Sequence, residues 1–232
     1  MALSVPGLEA NSFSVTDATS YATASFTPTA GAIIFVLVNS RNATVVPAAP
    51  TVTRAGGAET FTQIDSAAGW VANRTRLTLF KSSAAAASAG AITFDFSGVT
   101  QTQCSWIVVE QTGQDTTTPT LNNDNSIGSG TTGSLTFAAF GDAVNNYGIA
   151  GYAHQTVEDI VPDTGNSWAE SAQVDSSEQG ICIALHYRAG EDTTPTATWA
   201  TSQSWGAVGC EVAAAGVAAN KRRYTLTTTG VG

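Results

Sequence analysis

Two stretches of this chain spell nearly the same strand. Gln101 to Gly113 reads QTQCSWIVVEQTG, and Thr201 to Gly216 reads TSQSWGAVGCEVAAAG. Each has a Ser-Trp pair, an apolar run, a lone Glu and a Gly that ends it. On an extended backbone alternate residues share a face. Cys104, Trp106, Val108 and Glu110 therefore align, opposite Ser105, Ile107 and Val109. In the second stretch Trp205, Ala207, Gly209 and Glu211 align, opposite Val208, Cys210 and Val212. A run that is apolar on both faces belongs between two layers, not on a surface. This demands a packed β architecture with each Trp in a core and each Glu at a strand end, tying down backbone donors.

The segments between these stretches keep the same order. Tyr21–Phe26 (YATASF), Ala32–Val38 (AIIFVLV), Thr75–Lys81 (TRLTLFK) and Ala91–Phe96 (AITFDF) read as strands in the first half. Leu77 and Leu79 share one face, and Ile92, Phe94 and Phe96 another. In the second half Ser134–Phe140, Asn146–His154, Ile181–Arg188 and Thr196–Ala200 follow in matching order, with Trp168 standing where Trp70 stands. Equivalent tryptophans lie about 100 residues apart, the signature of an internal repeat. The expected fold is all-β, a jelly-roll-like antiparallel β-sandwich built from two pseudo-repeated halves, 19–114 and 134–216. Residues 115–133 read as a polar loop joining the halves, 1–18 as an N-terminal arm and 217–232 as a C-terminal tail. Ser82–Ala89 reads as a loop or a single helical turn.

Charge narrows the function. With 18 acidic and 9 basic residues the net charge is −9, which opposes nucleic-acid binding because phosphate neutralisation needs clustered cations. Charged residues make up only 12% of the chain, so little electrostatic protection guards its surface against association. The exception is Lys221-Arg222-Arg223, followed by the β-prone Tyr224 and Leu226. This segment suits docking onto an acidic neighbour or addition to an open sheet edge. Cys104, Cys182 and Cys210 lack metal spacing and read as buried thiols. The first residues carry no secretory pattern, and no apolar run is long enough to span a membrane as a helix.

No residue set announces a reaction. Glu110 and Glu211 are formally a pair of carboxylates, but equivalent strands need not face one cleft. His154 and His186 sit at strand ends with no nucleophile elbow in the chain. The acidic loops Asn122–Asn125, Glu158-Asp159 with Asp163, and Glu191-Asp192 lack EF-hand spacing. The expectation is a non-enzyme with no cofactor and no metal. Trp70 and Trp168 are the candidates for glycan contact.

The runs RLTLFKSS, AITFDFSGVTQTQCSWIVVEQTG, SLTFAAFGDAVNN and SWGAVGCEVAAAG resemble an uncharacterised group of proteins encoded by tailed bacteriophages and prophages, over about Thr19 to Gly216. The resemblance implies a virion-associated β-sandwich assembled in the host cytoplasm. It supplies no catalytic motif. The corresponding expectation is a capsid decoration or cement protein that binds the major capsid protein or other virion proteins as a homo-oligomer, such as a trimer. The alternative is a tail or fibre module that recognises host carbohydrate.

Overall fold

A computed structural model describes residues 2–176 and 181–216. Eight strands precede the crossover: β1 (Gly7–Ser14), β2 (Ser20–Ala22), β3 (Ile33–Arg41), β4 (Thr51–Arg54), β5 (Phe61–Ala68), β6 (Thr75–Ser82), β7 (Ile92–Asp95) and β8 (Gln103–Gln111). Six follow it: β9 (Thr120–Ser134), β10 (Tyr147–His154), β11 (Val161–Pro162), β12 (Ala169–Ser176), β13 (Ile181–Ala189) and β14 (Thr196–Val212). Among the described residues the only helical element is a single 3-10 turn at Thr164–Asn166, and no helix could cross a membrane. The fold is all-β, and its strand pairs are antiparallel.

The first large sheet runs β1-β8-β3-β6-β5. The second runs β14-β10-β13-β12, with β9 and β11 both pairing β14. The two face each other across one apolar layer. Ile33, Phe35, Leu37, Leu77, Leu79, Ile107 and Val109 come from the first sheet, and Ile149, Ile183, Leu185, Val208, Cys210 and Val212 from the second. This is a β-sandwich, and alternation along each strand explains it: the odd-numbered residues of β3 and β8 enter the shared layer.

The even-numbered residues need a second cover. Ile34, Val36, Val38, Cys104, Trp106 and Val108 pack under a small sheet of order β2-β7-β4, which contributes Tyr21, Val52, Ile92 and Phe94. On the far side Tyr152, Cys182, Ala184, Trp205 and Ala207 pack under Leu135, Phe137, Phe140, Ile160, Trp168 and Trp199. The register of β14 against β9 breaks between Thr198 and Gln203. Its first part thus reaches the outer layer while its second lies in the large sheet. The faces assigned from sequence to β6, β7, β8 and the end of β14 match these layers.

Two segments differ from expectation. Residues 7–14 are the edge strand β1, hydrogen-bonded along β8, and Leu3 is buried in the central layer. What reads as an arm is part of the sandwich, anchored by one apolar side chain. Residues 120–134 are the longest strand before β14, not a loop, and pair with it over most of its length. Asn, Ser, Thr and Gly fill β9 because one edge faces outward, and the ladder to β14 supplies hydrogen bonds that its own sequence does not advertise. The stretch read as a loop or a helical turn is a loop over residues 83–89, after Ser82 ends β6.

Candidate interaction surface

The basic segment Lys221, Arg222, Arg223, Tyr224 and Leu226 lies outside the described residues. The two candidate glycan platforms do not survive as such. Trp70 is 5% exposed and Trp168 is 3% exposed. A Cβ on Gly206 would stand 2.7 Å from the Trp70 indole, and one on Gly148 would stand 2.7 Å from Trp168. Each indole lies over a strand glycine that leaves room for it, so neither ring offers a face to a sugar. Trp168 Nε1 also donates to Asp192 at 2.8 Å. Apolar burial won both side chains for the core; all five tryptophans are buried.

The paired carboxylates are occupied structurally. Glu110 accepts from the Thr29 N–H at 2.6 Å and from its hydroxyl at 2.7 Å. Glu211, fully buried, accepts from the Gly141 N–H, Asn122 Nδ2 and Asn146 Nδ2. Both hold the segment that leads into the neighbouring central strand, β3 in one case and β10 in the other. A carboxylate whose oxygens are engaged in this way fixes a chain path and is poorly placed to take up a substrate proton.

Both histidines are buried on the outer face of the second sheet. His186 packs against Tyr152 with ring centroids 5.3 Å apart, and burial pushes its pKa down to about 4. His154 packs against Trp199, and burial lowers its pKa as well. Cys104, Cys182 and Cys210 are buried free thiols with pKa values raised by burial. The acidic loops cap their own backbone. Asp142 accepts from the Asn145 side-chain amide and from the Asn145 and Val144 N–H groups, Asp163 accepts from the Asn166 side-chain amide and N–H, and these bonds hold both carboxyls below the usual range. Asn123 and Asn125 donate to Asp65 across the sandwich edge. Among the described residues no group of three or more His, Cys, Asp or Glu is arranged to hold a metal ion.

With both faces of both large sheets covered, the surface consists of edges, loops and the outer side of the small layers. Two flanks result. On one, β5 lies beside β9, polar and bridged by Asp65 and by Lys81 Nζ donating to Thr120 Oγ1 at 2.6 Å. On the other, β1 lies beside β12, where Asn11 Nδ2 donates to the Gln173 carbonyl at 3.3 Å. Here β1 pairs only with β8 among the described residues, so its outer ladder is open. Val5, Leu8 and Phe13 are exposed along it. Open main-chain groups beside exposed apolar side chains form a surface for another chain. Sequence reading missed this flank because Leu8 and Phe13 are separated by polar residues without clean alternation.

These features define the class: an all-β protein of two facing antiparallel sheets, each covered again on its outer side, presenting edges and loops. Comparisons with protein-family models, with curated proteins and with solved structures found no match to this chain.

Proposed function

We propose that this is a structural virion protein of a tailed bacteriophage, a decoration or cement protein that binds the capsid surface and acts by adhesion. The observation that carries the proposal is the pairing order. The first eight strands pair as β1-β8-β3-β6-β5 and β2-β7-β4. Apart from β5, which extends the large sheet beyond β6 and does not join β4, this order is consistent with a jelly roll, an architecture recurrent in viral shells. The second half pairs as β9-β14-β10-β13, with Leu135 and Phe137 hydrogen-bonded to Pro195 and Thr193 and β11 on β14. The contacts across the sandwich exchange accordingly: β1 with β12 answers β9 with β5, and β8 with β13 answers β14 with β6. This supports two copies of one jelly-roll unit, packed back to back about an approximate twofold axis.

Fold analogy alone gives only a prior. Three features of the chain add to it: low charge, buried thiols without disulfides, and an open apolar edge at β1. On this reading the β1 flank and residues 217–232 bridge neighbouring shell subunits, and the protein assembles as a homo-oligomer. The glycan reading loses its motivating residues, since Trp70 and Trp168 are core side chains.

Co-sedimentation of the purified protein with capsids of the encoding phage or prophage tests the proposal. Saturating binding at a fixed ratio per capsomer is expected, reduced by removal of residues 217–232 and by Leu8→Asp with Phe13→Asp. Absence of binding, or full occupancy by both altered proteins, overturns it.

A further inference from the structure

The β1 flank presents two sheet edges side by side. Strand β1 ends the first large sheet and pairs only with β8 among the described residues, and β12 ends the second and pairs only with β13. Asn11 Nδ2 donates to the Gln173 carbonyl and Ser171 Oγ to that of Pro6, so the two edges touch. Directly opposed residues of a strand pair share a face. Leu8 stands opposite Val109, Asn11 opposite Ile107 and Phe13 opposite Ser105, so all three turn towards the central layer at its margin. Leu8 is nevertheless 47% exposed and Phe13 36%. A strand added beside β1 would cover both and continue the ladder. Strand β12 is the poorer acceptor, since Ala172, Val174 and Ser176 are already buried and β11 lies beside it.

Charge says which strand fits. Carboxylates flank the apolar seam on both sides. Burial and the nearby Glu110 charge raise the Glu9 carboxyl, and burial with Asp159 and Asp175 does the same to Glu170. Strands β1 and β12 contain no Lys or Arg, and among the described residues none of these carboxylates forms an ion pair. Two copies of this flank therefore repel, which opposes pairing of β1 with β1 about a twofold axis. The complementary segment is in the same sequence. Residues 221–229, outside the described residues, read KRRYTLTTT, with three of the chain's nine cations ahead of β-prone residues. On an extended backbone Arg222, Tyr224 and Leu226 would share one face, and Lys221, Arg223 and Thr225 the other. That matches the flank: apolar side chains for Leu8 and Phe13, and cations for the carboxylates on either side.

Direction decides whose segment docks. The Ala215 N–H donates to the Gly113 carbonyl at 2.8 Å, and Gly113 adjoins Ala2, so the chain reaches Gly216 near the end where β1 begins. Residues 217–220 span at most about 14 Å. That is too short to run the length of β1, about 27 Å, and turn back. A strand laid on β1 by the same chain would therefore run parallel to it, whereas the described strand pairs are all antiparallel. A second copy carries no such restriction.

We infer that residues 221–229 of a second copy of this chain add as an antiparallel strand to the free edge of β1. This rests on the adhesion reading in taking the β1 flank as an interface, and it names what docks there. Reciprocal donation closes a dimer, and head-to-tail donation a ring.

Sedimentation velocity of the full chain tests this. Association is expected by about 100 μM, weakened about tenfold or more in about 0.5 M salt. Two altered full-length chains separate the surfaces. Lys221→Glu with Arg222→Glu and Arg223→Glu spoils the donor, and Glu9→Lys with Glu170→Lys spoils the acceptor. Each alone should associate at least about tenfold more weakly than the native chain. Their equimolar mixture should form a one-to-one complex, with amide exchange slowed in residues 7–14. A native chain that stays monomeric overturns the inference, as does association undiminished in either altered chain. Slowed exchange in β12 instead of β1 overturns it too, and so does tail-dependent protection of β1 in a monomer. A monomeric chain that still saturates capsids sinks this pairing and leaves the adhesion reading standing. Association without capsid binding supports the pairing and sinks that reading.

Discussion

Glu110 holds Thr29 at two points, the backbone N–H and the side-chain hydroxyl, at 2.6 and 2.7 Å. The bonds tie the end of β8 to the turn that launches β3, and Glu211 does the same for Gly141 ahead of β10. Charge-assisted bonds of this kind are worth about 1.5–3 kcal/mol each, more where loss leaves a buried donor unpaired. Glu211→Ala should thus cost more than Glu110→Ala, because Glu211 is fully buried and has three donors. Urea denaturation should show the midpoint falling by the larger amount for Glu211→Ala, at constant m-value.

Gly206 gives way to Trp70. A side chain there would meet the indole at 2.7 Å from both Cδ1 and Nε1. Gly206→Val is expected to lose about 1–3 kcal/mol by overpacking, and Trp70→Ala about 3–5 kcal/mol by opening a cavity in the central layer. A red-shifted tryptophan emission in Gly206→Val would report the displaced indole. A melting temperature unchanged in Trp70→Ala would contradict its place in the core.

His186 makes stability depend on pH. Its pKa lies at about 4 in the fold against 6.5 in a free chain, so the unfolded state binds the extra proton between these values. Its neutral burial contributes fully above about pH 6.5, and the contribution fades as pH falls towards 4. The loss amounts to about 3 kcal/mol over that window. His154, also lowered by burial, acts in the same direction. Tyr152, Glu170 and Ala150 surround His186 on neighbouring strands, and the Glu170 carboxyl is raised by burial. Thermal melts from pH 7 to 4 should fall less steeply for His186→Phe than for the native protein.

Arg54 and Glu59 form an ion pair with both side chains buried, and the guanidinium also donates to the Ser88 and Ala86 carbonyls. Removing one partner strands the other charge, at a cost of about 3–5 kcal/mol. Arg54→Met should accordingly be more damaging than Arg54→Met combined with Glu59→Leu. A double-mutant cycle measured by denaturation gives the coupling, and a coupling of zero would dismiss the pair as a stabilising element.

Local pattern made the interior legible. Leu77 with Leu79, Ile92 with Phe94 and Phe96, and Cys104 with Trp106 and Val108 reveal their shared faces by strict alternation, since a strand between two layers must be apolar on each. The fate of Trp70 and Trp168 was not legible, because an indole reads the same in sequence whether it covers a strand glycine or a sugar. Nor were the edges. Strand β1 has no clean alternation, and β9 reads TLNNDNSIGSGTTGS, a composition typical of loops.

By itself the sequence determined which strands lie inside and which face each apolar residue turns to. Those properties follow from the two-residue period of the extended chain and from the cost of leaving apolar side chains in water. Tertiary structure alone decided which polar segments become edge strands, which tryptophans are enclosed, and which carboxylates are tied to backbone. Each of those depends on a hydrogen bond or a contact with residues far along the chain, and no local pattern encodes a partner that only the closed sandwich brings within reach.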